Sequence, residues 1–197
     1  MASRHSLERR DAVATMLAAR GDALVVTGLG SPTWDVAASG DSPLNFYLWG
    51  AMGGAAMVGL GLALAQPSRR VVVITGDGEL LMGLGGLATI ASARPANLAI
   101  AVLDNEHYGE TGMQESHTGA GVDLAAMALA AGFPAAVTLT SAEQLTQWTP
   151  VLYTAPGPVL GVIKVAATQP PLTVPSRDGT YIKNRFREAL LGPKAVM

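Results

Sequence analysis

Apolar runs alternate along the chain with stretches in which apolar residues recur at helical spacing. Five mostly apolar runs predict strands, over residues 22–27, 71–75, 98–103, 135–139 and 158–165. The first three of these runs predict buried strands, and residues 71–75 are apolar enough for a strand covered on both faces. Helical spacing and capping residues predict helices over residues 8–20, 50–66, 80–93 and 123–131, after 141, and over 181–190. Strands and helices that alternate in this way are typical of βαβ units and a parallel sheet.

The order of these elements predicts an α/β fold of three layers, with a mostly parallel central sheet and helices on both faces. A length of 197 residues suits one such domain over 1–197, since we find neither a linker nor an internal repeat. Two polar stretches, GLGSPTWD and DSPLN, predict loops. From about residue 166 the Pro-bearing segment VAATQPPLTVPSRDG predicts an arm draped over a neighbouring chain, followed by the last helix.

One uncharged stretch, from Ser42 to Ser68, admits two interpretations. It contains WGAMGGAAMVGLGLALA, whose length and small-residue spacing are compatible with a membrane span. The polar and proline residues near its ends, and the strand sequence RRVVVITG directly after it, favour a buried helix with a thin face of small residues. We therefore expect no membrane association.

The composition limits the classes of function. Lys and Arg total 13 and Asp and Glu total 15, a net charge of −2 without a basic cluster, so no nucleic-acid binding is expected. The absence of Cys excludes disulfides and Cys nucleophiles and agrees with a cytoplasmic location. Because only 14% of residues are charged and 49% are hydrophobic, we expect self-association to bury part of the surface. The first ten residues, MASRHSLERR, lack the apolar core of a signal peptide.

The candidate chemistry lies in two polar loops that follow predicted strands, where parallel sheets bind their ligands. After VVVIT the chain continues Gly76-Asp77-Gly78, so two glycines flank one carboxylate at the start of a helix. Glycine lets backbone amides approach a ligand, and the first amides of a helix favour phosphate. A carboxylate beside a phosphate calls for a cation between them, most simply Mg²⁺.

The second loop, DNEHYGETG after LAIAVL, supplies further oxygen ligands. The amide oxygen of Asn105 is a hard, neutral ligand that suits Mg²⁺. Beyond it, residues 107–112 offer backbone carbonyls, amides and a hydroxyl. Simpler roles are open at this point, because Asp77 could be a helix N-cap and Asn105 a turn residue.

Three features in order resemble the diphosphate-binding domain of thiamin-diphosphate enzymes. Gly76-Asp77-Gly78, 26 further residues and then Asn105 resemble the thiamin-diphosphate motif. LDNEHYGETG is similar to the end of that motif in the sulfopyruvate and phosphonopyruvate decarboxylase group, and PLNFYLWGAMG with the following helix resembles the group's pyrimidine-contact loop. The resemblance implies the thiamin-diphosphate-binding fold, with thiamin diphosphate and Mg²⁺ as cofactors.

The resemblance also implies roles for individual residues. Asp77, Asn105 and the carbonyl of His107 would bind the metal ion. Gly50 would accept a hydrogen bond from the cofactor, and Met52 would be the wedge that bends the cofactor into its reactive shape, although Met52 could equally be a core residue. The full cofactor-binding set implied is Gly50, Ala51, Met52, Gly76, Asp77, Gly78, Glu79, Leu80, Asn105, Tyr108, Gly109, Glu110 and Thr111.

One part of the family's active site has no counterpart in this sequence. In the family, a glutamate of the pyrimidine-binding domain protonates the cofactor, and that domain is a separate unit of comparable size. All the motifs of this chain are of the diphosphate-binding type. The resemblance therefore implies a partner chain, an alpha-type subunit with the pyrimidine-binding domain, which completes the active site.

The stretch after the metal loop bears on the substrate. Residues 113–118, MQESHT, resemble the GQPTHT-like stretch of the phosphonopyruvate group but differ from it at residues 113, 115 and 116. His117 could contact an anionic substrate or act as an acid or base near neutral pH, and the alternative is a solvated loop residue. The resemblance implies decarboxylation of a small anionic 2-oxo acid, and the differences leave its identity open.

Three other functions are weighed against this one. A carboligase subunit similar to acetolactate synthase is the enzymatic alternative, and a cofactor-binding subunit without catalysis is the non-enzymatic one. Intact metal ligands argue against the latter. Gly28-Leu29-Gly30 after a strand begins a dinucleotide-binding pattern, but Pro32 and Thr33 break it.

Overall fold

The computed structural model of the protein describes residues 5–196. Six strands form one sheet in the order β2-β1-β3-β4-β8-β7, and every neighbouring pair is parallel. A separate antiparallel pair, β5 and β6, lies in the second polar loop. The strands are β1 Leu24–Thr27, β2 Asn45–Tyr47, β3 Val71–Gly76, β4 Leu98–Asp104, β5 His107–Tyr108, β6 Gln114–Glu115, β7 Ala135–Leu139 and β8 Val159–Lys164.

Eight α-helices and a terminal 3₁₀ turn at Pro193–Val196 accompany the strands in residues 5–196. The helices are α1 Arg9–Ala18, α2 Ser31–Ala38, α3 Ala55–Ala65, α4 Asp77–Met82, α5 Gly86–Ala93, α6 Leu124–Ala131, α7 Ala142–Thr154 and α8 Gly179–Leu191. The predicted α/β class, with a parallel sheet between helices, is confirmed.

Successive side chains of the central strands enter two separate apolar cores, because neighbouring residues of a strand point to opposite faces. Val72 and Ile74 of β3 pack with residues of α1, α2 and α7 on one face. Val71 and Val73 pack with residues of α3, α5 and α6 on the other. Phe186 of α8 joins the second core. The central strands β1, β3 and β4 are thus buried on both faces, as their apolar runs predict, whereas most residues of the edge strand β7 are exposed.

Two predicted loops contain regular structure. GLGSPTWD was predicted to be irregular, but α2 begins at Ser31 within it. Pro32 does not prevent this helix, because proline is tolerated in the first turn, where amides have no partner inside the helix. DSPLN leads directly into β2, which pairs with β1 at the edge of the sheet.

Two predicted helices have different bounds in the structure. The helix predicted over residues 80–93 is two helices, α4 and α5, which are separated by a turn at residues 83–85. The sequence GLGG explains the break, since glycine is among the weakest helix formers. The helix predicted from Gly50 begins only at Ala55, so residues 50–54 form a loop.

The small residues of α3 allow the helix to approach the sheet closely. A side-chain carbon added at Gly59 would collide with Val73 of β3. The opposite side of α3 is not buried, since Met57 is 38% and Leu64 56% exposed. Within the part of the chain that the structure describes, no helix is long and apolar enough to cross a membrane.

The Pro-bearing arm makes several contacts with its own chain. Arg10 of α1 donates to the carbonyl of Pro171 over 2.8 Å. The indole of Trp49 donates to the carbonyl of Ser176 over 2.8 Å, and Arg177 stacks on its ring. These contacts fix the arm beside α1 before the chain enters α8.

Candidate functional site

The two polar loops meet at one edge of the sheet. Gly76 of β3 lies in register with Leu103 of β4, so the residues that follow each strand are neighbours. A cleft of about 340 Å³ opens there. Eleven of the predicted site residues line it, namely Met52, Gly76, Asp77, Gly78, Glu79, Asn105, His107, Tyr108, Gly109, Glu110 and Thr111. Gly50, Ala51, Leu80 and His117 are not among its lining residues.

Asp77 is the first residue of α4 and is only 2% exposed. Gly76, rather than Asp77, occupies the N-cap position, so the simple capping role does not apply. The hydroxyl of Ser116 donates to Oδ2 of Asp77, and that of Thr118 lies 3.2 Å from the same oxygen. Burial and the nearby charge of Asp104 raise the pKa of Asp77 to about 6, although the hydroxyls act in the opposite direction. A cation in the cleft would favour the ionised form.

Asn105 and His107 form a tight turn on the other side of the cleft. Oδ1 of Asn105 accepts the backbone amide of His107 over 3.0 Å, and the ring of His107 lies 2.8 Å from the Asn105 carbonyl. Glu106 between them has a φ of 64°, in the left-handed region. Among residues 5–196, no group of three or more His, Cys, Asp or Glu side chains could hold a metal. An ion here would therefore need neutral oxygens and oxygens from a bound group.

An ion-pair network lies at the ends of β4 and β8, and no sequence pattern predicts it. Nζ of Lys164 lies 2.8 Å from Asp104 and 2.9 Å from Glu106, and His5 also contacts Glu106 over 3.1 Å. Burial alone would lower the pKa of Lys164, but its bonds to the two carboxylates outweigh this and raise it. Lys164 offsets part of the negative charge of these two carboxylates, of which Asp104 still acts on Asp77.

Glu79 holds the loop at residues 50–54 in place. Its Oε1 accepts the backbone amides of Gly53 and Ala55, each over 3.0 Å, and Thr75 donates to its other oxygen. Ala51 in this loop has a φ of 57°, which is costly for a residue with a side chain. Met52 is 41% exposed and lies on the cleft wall, so it is not a core residue.

The ring of Tyr108 packs directly against Gly78. A side-chain carbon at position 78 would overlap the ring of Tyr108. This contact explains why a glycine follows Asp77. The hydroxyl of Tyr108 lies 3.3 Å from Nδ1 of His117, which is exposed to solvent and outside the cleft.

Seven residues that line the cleft were not among the predicted site residues, namely Arg9, Leu29, Ser31, Pro32, Met82, Leu103 and Gln114. Ser31 and Pro32 begin α2, Leu29 lies just before it, and Arg9 of α1 supplies a positive charge among the lining residues. Arg9 is 5% exposed and forms an ion pair with the fully buried Asp35. The Gly-Leu-Gly sequence before α2 was a usable signal, because glycines between a strand and a helix often mark a ligand loop.

The parallel sheet and the cleft at its carboxyl edge define a cofactor-binding domain of the α/β class. Residues 30–162 match the family described as thiamine pyrophosphate enzyme, C-terminal TPP binding domain. The match covers more than half of the chain, so the chain belongs to this family of thiamin-diphosphate enzymes. This confirms the resemblance drawn from the motifs.

Within the family, the chain is similar to two kinds of decarboxylase. It is 46% identical over 127 residues to the sulfopyruvate decarboxylase subunit beta of Methanothermobacter thermautotrophicus, covering 64% of this chain and 68% of the relative. It is 38% identical over 175 residues to the phosphonopyruvate decarboxylase of Streptomyces viridochromogenes, covering 88% of this chain but 44% of the relative. The crystal structure of benzoylformate decarboxylase from Polynucleobacter necessarius has the same fold, with a TM-score of 0.72 at 18% identity over 84% of this chain and 34% of that one.

Proposed function

We propose that this chain is the subunit that binds the diphosphate and Mg²⁺ in a thiamin-diphosphate-dependent decarboxylase of a small anionic 2-oxo acid. The observation that carries the proposal is the position of Asp77 and Asn105 on one cleft, at the ends of adjacent parallel strands. When bound, thiamin diphosphate supplies a carbon nucleophile and then an acceptor for the electrons left after CO₂ departs.

The residues present fit the metal ion and the diphosphate. Asp77, the amide oxygen of Asn105 and the carbonyl of His107 would hold the ion, and phosphate oxygens would complete its coordination. The N-terminus of the eight-residue α2 opens on the same cleft through Ser31, and helix N-termini favour anions. Gly78, Glu79 and Thr111 would lie near the diphosphate, with the Glu79 carboxylate acting through the loop that it holds.

The remaining residues would orient the cofactor and the substrate. Met52 reaches the cleft from a loop whose backbone Glu79 fixes, which is the support a rigid wedge needs. Gly50 and Ala51 lie in the same loop and would contact the pyrimidine from beside the cleft. His117 would act at the rim, where Tyr108 holds one of its ring nitrogens.

A partner chain would complete the active site. The sulfopyruvate decarboxylase subunit beta of Methanococcus maripaludis is 32% identical to this chain, which spans 90% of it, and its name indicates a second subunit. The larger phosphonopyruvate decarboxylase has room for another domain within one chain, since this chain spans 44% of it. We therefore assign the pyrimidine-binding domain and its glutamate to an alpha-type partner.

The substrate would be a 2-oxo acid with a second acidic group, such as sulfopyruvate or phosphonopyruvate. Both names occur among the relatives that match most of this chain. Acetolactate synthase of Escherichia coli matches only 34% of the chain, which makes the carboligase the less supported alternative.

Calorimetry on the full chain tests the cofactor assignment. We expect thiamin diphosphate to bind only when Mg²⁺ is present, and Asp77→Ala to abolish that binding because the ion loses its one carboxylate. Asp123→Asn is the matched control, since Asp123 is an exposed residue that caps α6 away from the cleft. Unchanged binding by Asp77→Ala would refute the assignment. Release of CO₂ from the 2-oxo acid by the chain without a partner would refute the two-subunit arrangement.

A further inference from the structure

We propose that Ser116 and Thr118 are positioning residues that make Asp77, rather than Asp104, the carboxylate that binds the metal ion. The inference rests on the proposed function and adds two residues that act through another side chain. Two buried carboxylates lie at the ends of adjacent strands, Asp77 at 2% and Asp104 at 1% exposure, and either type of oxygen suits a divalent ion.

The two hydroxyls lie between the two carboxylates. Oγ of Ser116 donates to Oδ2 of Asp77 and lies 2.9 Å from Oγ1 of Thr118. Oγ1 of Thr118 lies 2.7 Å from Oδ1 of Asp104 and 3.2 Å from Oδ2 of Asp77. Both hydroxyl residues are at least 96% buried, at 2% and 4% exposure, so water does not compete for these bonds.

The number of hydroxyl protons limits how many hydrogen bonds Ser116 and Thr118 can donate to the two carboxylates. Each hydroxyl has one proton to donate. Thr118 is closest to Asp104, so its proton serves that carboxylate, and the proton of Ser116 serves Asp77. Each buried carboxylate therefore receives one hydroxyl proton, and the hydroxyls at positions 116 and 118 serve different carboxylates.

The remaining partners of the carboxylates differ. Both oxygens of Asp104 are engaged, because Lys164 binds Oδ2 over 2.8 Å while Thr118 and the amide of Glu106 bind Oδ1. Both hydroxyl contacts of Asp77 end on Oδ2, which leaves Oδ1 without either hydroxyl. Asp77 lines the cleft and Asp104 does not. Asp104 is thus satisfied away from the cleft, whereas Asp77 lines the cleft and keeps one oxygen that neither hydroxyl contacts.

The loop that carries the hydroxyls is itself fixed. The amide of Ser116 donates to the carbonyl of Glu106 over 2.8 Å, next to the β5–β6 hairpin. The amide of Gly119 donates back to the carbonyl of Ser116 over 3.1 Å. A side chain held in this way orients a metal ligand, as hydrogen-bond partners behind metal ligands commonly do.

The test is a calorimetric titration of the full chain with Mg²⁺ at a fixed excess of thiamin diphosphate. We expect Ser116→Ala and Thr118→Val each to weaken Mg²⁺ binding about 10- to 100-fold, the usual effect of losing a partner behind a metal ligand. Ser116→Thr and Thr118→Ser keep the hydroxyls and should bind within about threefold of the wild type. Thermal unfolding without Mg²⁺ is recorded for every variant.

Thr149→Val is the matched control, because it removes a hydroxyl that is also buried but bonds only within α7, to the carbonyl of Leu145. It should lower the unfolding temperature without changing Mg²⁺ affinity. If Ser116→Ala binds Mg²⁺ as tightly as the wild type, the positioning role is wrong while the proposed function stands. If the wild type itself shows no Mg²⁺-dependent binding, the proposed function fails and the inference fails with it.

Discussion

The carboxyl group of Asp77 is almost fully buried, and a second buried carboxylate, Asp104, lies close to it. The folded chain without a metal ion therefore resists ionisation of Asp77, which raises its pKa from 3.8 to about 6. A bound cation removes this penalty. At the proposed metal ligand, stability without the ion is thus reduced in favour of binding.

This cost predicts how stability without the metal depends on pH. Because the folded pKa is raised, the unfolded chain releases this proton first as the pH rises from about 4 to 6, and the free energy of unfolding falls across that window. The shift in the pKa of Asp77 from 3.8 to about 6 lowers the free energy of unfolding by on the order of 3 kcal/mol once the pH is above both values. Asp77→Asn should remove it, so the metal-free variant should gain stability over the wild type at pH 7.5 but not at pH 4. Urea unfolding at both pH values measures this, and an equal difference at both would contradict it.

Sequence reasoning found the residues that follow strands and missed those that come from elsewhere. Asp77 and Asn105 were predictable, because the ends of neighbouring parallel strands meet at one edge of a sheet. Ser116 and Lys164 were not, since the first lies 39 residues beyond its partner Asp77 in an irregular loop and the second ends a strand with no motif of its own. Such contacts depend on tertiary packing, which leaves no local pattern in the sequence.

The loop at residues 50–54 owes its shape to the helix that follows β3. Glu79 of α4 accepts the amide of Gly53 in this loop and that of Ala55 at the start of α3, so this carboxylate connects the loop to the segment that follows β3. Because α4 begins at Asp77, it includes Glu79, which the helix predicted over residues 80–93 would leave outside. The glycines of GLGG explain in hindsight why α4 and α5 are separate, whereas the start of α2 within a predicted loop was not indicated by helical spacing.

Removing the Glu79 side chain should destabilise the loop. Glu79→Ala leaves the amides of Gly53 and Ala55 without their acceptor, at a cost of about 1–3 kcal/mol for each buried amide that stays unpaired. Glu79→Gln is the matched control, because its amide oxygen can accept the same bonds while its NH₂ group turns to Thr75. Chemical unfolding gives the stabilities, and hydrogen exchange at Gly53 reports the loop. Equal stability and exchange in the two variants would refute the role.

The molecule as a whole leaves an apolar surface on the side of α3 that faces away from the sheet. Met57, Val58 and Leu64 are between 36% and 56% exposed, and no charged residue lies between Asp41 and Arg69. Apolar exposure of this kind is typical of protein interfaces. The low fraction of charged residues had already predicted an assembly, although the sequence did not indicate which helix would take part.

We expect the purified chain to associate beyond its own mass of 20.2 kDa, either with itself or with its partner. Leu64→Glu should weaken the association, because it introduces a charge into the apolar surface. Leu172→Glu is the control, since Leu172 is 67% exposed on the arm. Sedimentation equilibrium measures the masses. A single species of 20.2 kDa for the wild type at every concentration, with and without the partner, would contradict the expectation.

The walls of the cleft come from both helical layers, with α2 from one face of the sheet and α4 with the loop before α3 from the other. A ligand in the cleft would therefore contact both layers. At a free concentration 100 times its dissociation constant, the ligand would add about 2.7 kcal/mol to the free energy of unfolding. It follows that vitamin supply would govern how much of this protein a cell retains, since chains left empty would be the first to be lost to proteases.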